Sequence, residues 1–142
     1  MAVVRAWVNG RILDDPEGPA VAVSDHGLTV GDGVFEAVKA VRGRPFALGR
    51  HLERLASSAA GLGLSAPNLD EVRRAVGEVL RGRSDPLNRI RITYTAGPAP
   101  LGSGRGDGRP TLIVVAAPLA EAAESTRVST VPWPRNERGA LA

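Results

Sequence analysis

The sequence predicts an α+β fold, a two-layer sandwich in which two helices cover one face of a mostly antiparallel sheet. Three observations support this fold class. Strand patterns come first, two consecutive helical patterns follow, and further strand patterns come after them. A tight turn joins the first two strands, and one late strand is almost entirely apolar, as in the centre of a sheet. The length of 142 residues fits one domain with a sizeable core.

The first third of the chain is expected to consist of strands. Val3–Val8 and Arg11–Leu13 flank Asn9-Gly10, a dipeptide that supplies the positive φ angles of a type I′ hairpin turn. Prolines around Gly18 then interrupt the strand pattern. Three more strands are expected in this part of the chain: Ala20–Val23, Val34–Val41 and Phe46–Leu48.

Two helices are predicted in the middle of the chain. From Arg50 to Gly63, leucines and alanines recur at helical spacing, and glycines end the pattern. The second helix begins at Asn68, whose side chain can cap it, and Glu71 lies three positions on as in a capping box. Its apolar stripe ends at Gly82.

Three strands are predicted after the helices. Arg89–Thr95 alternates apolar and polar residues, whereas Thr111–Ala117 is almost all apolar and is expected to be central in the sheet. Between them, Gly97–Pro110 is rich in glycine and proline and is expected to be a mobile loop. Arg127–Val131 is the third predicted strand.

Composition excludes several classes of function. The sequence has no cysteine, which rules out disulfides, thiolate metal sites and cysteine nucleophiles, and its two histidines lack the spacing of metal ligands. The longest apolar run is too short to span a bilayer, so we expect a protein without a membrane partner, and the lack of cysteine suits the expected cytoplasmic location. Although the net charge is +3, the arginines are scattered and aromatic residues make up only 4%, so nucleic acid is not an expected partner.

Two polar patterns are candidates for a functional site. Phe35, Ala37 and Lys39 share one face of a strand because side chains alternate, and they either line a pocket or leave an exposed lysine on an edge strand. Arg54 lies beside the leucine stripe of the first helix, where its guanidinium either holds a phosphate or pairs with an acid. The residues alone leave both alternatives open.

Together, these motifs resemble those of a known family. Gly-Asp-Gly-Val-Phe-Glu at residues 31–36, followed by Arg-His-Leu-Glu-Arg-Leu at residues 50–55, is similar to the class IV aminotransferases. These fold-type IV pyridoxal-phosphate enzymes include branched-chain and D-amino-acid aminotransferases and aminodeoxychorismate lyase. The Trp-Val-Asn-Gly opening, the Ser-Asp-His-Gly turn and both helices extend the resemblance over essentially the whole chain. It implies the fold of the N-terminal domain of these enzymes.

The resemblance also implies roles for individual residues. Arg54 matches the arginine that holds the phosphate of pyridoxal 5′-phosphate in the family. Phe35, Lys39 and Arg91 fall where relatives line the substrate pocket, and the two cations are suited to a substrate carboxylate.

Departures from the family pattern narrow the implied activity. Val30 stands where relatives often have an aromatic residue, and Ala96 where D-amino-acid enzymes have a carboxylate-binding arginine, which argues against D-amino-acid substrates. Glu36-Ala37 is more similar to aminotransferases than to the lyase, which usually has threonines here. The expected function is therefore amino-group transfer between an amino acid and a 2-keto acid. The alternative is aminodeoxychorismate lyase, an enzyme of 4-aminobenzoate and folate synthesis.

The Schiff-base lysine of the family has no counterpart in this sequence. Relatives carry it in a second domain, and Lys39, the single lysine here, does not occupy its motif position. The resemblance thus implies that residues 1–125 form an N-terminal small domain and residues 126–142 an interdomain strand and linker. No catalytic residue is expected in the chain, which would be inactive alone. Because the relatives are homodimers, the resemblance also implies a homodimer. The alternative of another class is a truncated fragment that folds and associates without catalysing a reaction.

Overall fold

The computed structural model describes residues 4–134, which form a six-stranded sheet and three helices. The strands are β1 (Arg5–Val8), β2 (Arg11–Ile12), β3 (Gly33–Val41), β4 (Arg44–Pro45), β5 (Leu87–Thr95) and β6 (Thr111–Pro118). The helices are α1 (His26–Thr29), α2 (Leu48–Gly61) and α3 (Leu69–Leu80). Each of these helices is too short or too polar to traverse a lipid bilayer.

The sheet confirms the predicted α+β architecture. Its strands follow the order β2-β1-β6-β5-β3-β4, and every neighbouring pair is antiparallel. The apolar strand β6 lies inside the sheet between β1 and β5, as its composition predicts. The hairpin turn is also confirmed, since Asn9 and Gly10 both have positive φ angles and Trp7 pairs with Ile12.

The core lies between one face of the sheet and the two long helices. These helices contribute Leu52, Leu55, Ala59, Val72, Ala75, Val76, Val79 and Leu80. The sheet contributes Trp7, Val38, Ala40, Ile90, Ile92, Tyr94, Leu112, Val114 and Ala116. Each fully buried aliphatic side chain contributes about 1.5–3 kcal/mol. Because the helices cover only this face, the opposite side chains of β3 and β5 remain open to solvent.

Helix α1, a single turn, replaces the predicted polar turn. Asp25 caps it by accepting a hydrogen bond from the Gly27 backbone N–H at 2.8 Å and another from the Thr111 hydroxyl at 2.6 Å. Gly27 is required because a Cβ at this position would overlap the side chain of Thr95. The buried Asp25 carboxylate thereby connects the turn to the sheet.

Three of the predicted strands are wrong. Ala20–Val23 forms bends and turns that leave Val23 exposed. At Phe46–Leu48 the chain instead turns through Ala47, with a φ of +50°, directly into α2. Arg127–Val131 contains no strand, because these exposed residues have no sheet neighbour among the described residues.

Parts of the predicted ends are not described. Val3, the first residue of the first predicted strand, lies outside the described residues, and so do residues 135–142 of the predicted linker.

The cap of α3 is formed by the residue that the sequence predicts. The Asn68 side chain accepts hydrogen bonds from the backbone N–H groups of Asp70 and Glu71 at 3.1 and 3.2 Å. We predict that Asn68→Ala lowers the free energy of unfolding by about 1 kcal/mol, whereas Asn68→Asp, which keeps an acceptor, changes it little. Urea unfolding monitored by circular dichroism measures both variants. Equal losses in both variants would show that the hydrogen-bond acceptor at position 68 does not stabilise the helix.

Candidate functional site

The first half of the candidate site is the open face of the sheet. Phe35, Ala37 and Lys39 of β3 are exposed on this face, as their alternation predicts. Arg91 of β5 pairs with Ala37 in the register and extends its side chain on the same face. The structure therefore brings together the three residues that the sequence suggests for a substrate pocket.

Arg91 and Phe35 form a stacked pair. The guanidinium carbon of Arg91 lies 3.8 Å from the centroid of the Phe35 ring, which is the geometry of a cation–π contact. The Arg91 Nε also donates to the Thr93 hydroxyl at 3.4 Å. The stacking orients the planar cation and leaves its other N–H groups available for a carboxylate or phosphate.

A further cation, Arg89, lies on the open face and is not among the residues that the sequence suggests. It lies directly opposite Lys39 in the register of β3 and β5, and both side chains are exposed. Like charges opposite one another destabilise a sheet, and the open-face residues of β3, β5 and β6 include no acid that could neutralise them. The alternation of β5 places Arg89 on the face of Arg91, but only the register shows that it faces Lys39.

The second half of the candidate site surrounds Arg54 of α2. Its guanidinium donates to Glu36 of β3 through two atoms, with Nε 3.2 Å from Oε1 and Nη2 2.7 Å from Oε2. The Nδ1 atom of His51 lies 2.6 Å from the same Oε2. At that distance a proton must lie between the two atoms, so His51 donates and Glu36 accepts from both partners.

Glu36 remains a carboxylate in this cluster. Its partial burial raises the pKa, but the hydrogen bonds and positive charge of Arg54 and His51 outweigh burial and hold the pKa below its ordinary value. Of the two alternatives for Arg54, pairing with an acid is therefore present. The pairing occupies only one edge of the guanidinium, and 58% of the Arg54 side chain remains exposed.

The two halves lie on opposite sides of β3. Phe35 and Ala37 point to the open face, whereas Glu36 between them points toward α2 and Arg54. Strand β4 pairs with β3 only at Ala40 and Val41, so the segment 33–38 has no strand on its outer edge among the described residues. A ligand at this free edge would have Arg54 on one side and the open-face cations on the other.

Arg105 holds the loop after β5 against the domain. Its side chain donates to both carboxylate oxygens of Asp32 at 2.9 Å. It also donates to the carbonyl groups of Leu62 and Gly63, just beyond the end of α2, at 2.7 and 2.8 Å. The hydrogen bonds from Arg105, together with its charge and a smaller contribution from His26, lower the pKa of Asp32. The loop expected to be mobile is thus anchored in the structure at its centre.

No group of histidines and acids among the described residues is arranged to hold a metal ion. The candidate site is instead cationic, with one aromatic ring and one partly buried carboxylate. Cations beside an aromatic ring are suited to anions that carry an apolar portion.

Comparisons with known proteins agree with the observed fold. The family model for amino-transferase class IV matches residues 33–141. A candidate branched-chain-amino-acid aminotransferase of Methanocaldococcus jannaschii is 36% identical over 118 residues, covering 82% of this chain and 41% of that protein. A D-alanine aminotransferase of Staphylococcus haemolyticus is 30% identical over 99 residues, covering 69% of this chain and 35% of that protein.

A solved structure is similar to most of the chain. It is a hypothetical aminotransferase from Mycobacterium tuberculosis in its PLP-bound form, with a TM-score of 0.71 and 29% identity. The match covers 83% of this chain and 41% of that one. The chain therefore spans about two fifths of the length of these relatives.

The opposed cations on the open face predict an unusual response to mutation. Arg89→Gln and Lys39→Gln should each raise the free energy of unfolding by about 0.2–1 kcal/mol at low salt, because each removes the repulsion of a like charge. The gain should shrink as added salt screens the pair. Arg11→Gln, on an exposed strand position opposite Val8, is the control. Chemical unfolding at two salt concentrations measures the effect, and a loss of stability in Arg89→Gln would contradict it.

The ion pair of Asp32 and Arg105 predicts a pH dependence. Because the folded protein lowers the pKa of Asp32 from 3.8, the pair stabilises the fold fully above that value and loses its effect as the pH falls through the lower folded value. Wild type should therefore be more stable than Asp32→Asn at neutral pH, and the two should converge in acid. Urea unfolding from pH 7 to about pH 3 measures this difference, with Asp14→Asn as an exposed control. A constant difference would rule out the linkage.

Proposed function

Because the chain belongs to the class IV aminotransferase family, we propose that it is the N-terminal domain of a pyridoxal-phosphate-dependent amino-acid aminotransferase. In this proposal, residues 1–125 form the domain and residues 126–142 lead to a second one. One observation supports it best. Arg54, held by Glu36, lies on one side of the free edge of β3, and the open face with its cations and Phe35 lies on the other side.

Arg54 suits the phosphate of the cofactor. Glu36 occupies the edge formed by Nε and Nη2, and Nη2 also lies 2.8 Å from His51 Nδ1, so the two N–H groups of Nη1 remain for a phosphate. The residues present therefore fit the group. When bound, pyridoxal phosphate supplies the electron sink that makes bonds at the α-carbon of an amino acid labile.

Lys39 and Arg91 suit the carboxylate that amino acids and 2-keto acids share. Both cations lie on the open face, and Phe35, stacked beneath Arg91, adds an apolar surface for a substrate side chain. Burial of this face against a second domain would exclude water and strengthen both charge interactions. In this proposal the three residues bind and orient the substrate and take no proton from it.

Proton transfer at the α-carbon requires an amine or another base near the cofactor. Lys39, the single lysine of the sequence, serves the carboxylate in this proposal. We therefore place the lysine that binds the cofactor covalently outside residues 1–142, in the second domain. The complete enzyme is proposed to be a homodimer, and the 142-residue chain to be inactive by itself.

Equilibrium dialysis of the 142-residue chain against pyridoxal phosphate and against pyridoxal tests the role of Arg54. The chain should prefer the phosphate ester, and Arg54→Ala should reduce its affinity for pyridoxal phosphate about 10-fold or more while leaving pyridoxal binding unchanged. The control is Arg50→Ala, an exposed arginine on the same helix.

Two results would contradict the proposal. An unchanged preference in Arg54→Ala would remove Arg54 from the phosphate site. Sustained amino-group transfer by the 142-residue chain, supplied with cofactor, an amino acid and a keto acid, would show that the catalytic base lies within it.

A further inference from the structure

We infer that Glu36 is the positioning residue of the phosphate site, which fixes the guanidinium of Arg54 so that its free edge faces the ligand. The inference rests on the proposed role of Arg54. Glu36 is itself negatively charged, yet in this role it strengthens the binding of the phosphate to Arg54.

An exposed arginine is a poor anion site unless its side chain is held in place. Four rotatable bonds separate the guanidinium from the backbone, and a ligand that immobilises them loses part of its binding free energy. The two hydrogen bonds from Arg54 to Glu36 fix both the position and the plane of the guanidinium before a ligand arrives. The conformational entropy of the Arg54 side chain is therefore already lost on folding, and ligand binding does not have to reduce it further.

Glu36 can act in this way because it is itself fixed. Only 11% of its side chain is exposed, and its Oε2 atom also accepts the proton of His51 Nδ1 at 2.6 Å. Both oxygens of the carboxylate are thus engaged, which prevents its rotation. The His51 side chain is 16% exposed and lies on α2, one turn before Arg54.

The position of Glu36 along the chain connects the two halves of the site. It lies in β3 between Phe35 and Ala37, opposite Ile92 of β5. The strand therefore sets the distance from the held guanidinium to the open-face aromatic and cations. For a ligand that carries a phosphate and a carboxylate, β3 would thus fix the distance between the guanidinium of Arg54 and the open-face cations.

Two effects of Glu36 on phosphate binding have opposite signs: its charge neutralises Arg54, and its hydrogen bonds position Arg54. If Glu36 acted mainly by neutralising Arg54, its removal would tighten the binding of a phosphate. If it acts by positioning, its removal frees the guanidinium and weakens binding. Glu36→Gln removes the charge with little change of size and so separates the two cases.

The experiment uses the 142-residue chain with pyridoxal phosphate and pyridoxal as probes, and compares Glu36→Gln and Glu36→Asp with wild type. Glu53→Gln, an exposed acid on α2, is the matched control. We expect Glu36→Gln to lower the preference for the phosphate ester roughly 3- to 10-fold and to leave the affinity for pyridoxal unchanged. In ¹H–¹⁵N spectra, the Arg54 Nε–H signal should lose its slow exchange with water in Glu36→Gln and retain more of it in Glu36→Asp.

The outcomes separate the phosphate-binding role of Arg54 from the positioning role of Glu36. If Arg54→Ala abolishes the preference while Glu36→Gln leaves it unchanged or increases it, the positioning role is wrong and the function of Arg54 stands. If Arg54→Ala has no effect, the phosphate site itself is wrong and the role of Glu36 with it. Should Glu36→Gln not fold, Glu36→Asp takes its place: it keeps the charge but shortens the reach to Arg54, so positioning predicts a smaller loss of the preference, and an unchanged or increased preference would overturn the positioning role.

Discussion

The continuous pairing of β3 with β5 is the constraint on which the candidate site depends. The pairing runs from Gly33 to Val41, and α2 and the core bury one face of β3 over the same stretch. A slip of one residue would send Glu36 to the open face and Phe35 into the core. The hydrophobic effect that buries Val38 and Ala40 therefore also fixes which side chains reach each half of the site.

Most of the fold could be predicted because its elements carry strong local patterns. Both long helices, the Asn9-Gly10 hairpin and the central strands follow from periodicity, capping and turn chemistry. The wrong strands are short apolar runs whose conformation depends on distant neighbours. Ala20–Val23 precedes a turn anchored by the buried Asp25, and a strand at Arg127–Val131 would need a sheet neighbour that the described residues do not supply.

The candidate site was less predictable because it is built from contacts between elements. Alternation along one strand is enough to place Phe35 and Lys39 together, but the opposition of Lys39 and Arg89 requires the register of two strands that are distant in sequence. Likewise, Arg54 stands 18 residues from its partner Glu36, so helical spacing alone could not identify the acid. These features reflect side-chain charge and geometry that only the packed fold brings together.

Arg54 and the open face project from opposite sides of β3, and we propose that they are two parts of one site, with Arg54 for the cofactor phosphate and the open-face cations for the substrate carboxylate. A titration of the ¹⁵N-labelled chain with pyridoxal phosphate, followed by NMR, tests it most directly. We predict that pyridoxal phosphate shifts the Arg54 side-chain signal and the amides of residues 35–39 along one saturation curve, and that an amino acid added to the saturated chain then shifts the Arg91 side-chain signal. Shifts confined to other arginines, such as Arg5 and Arg81 around a separate surface crevice, would contradict it.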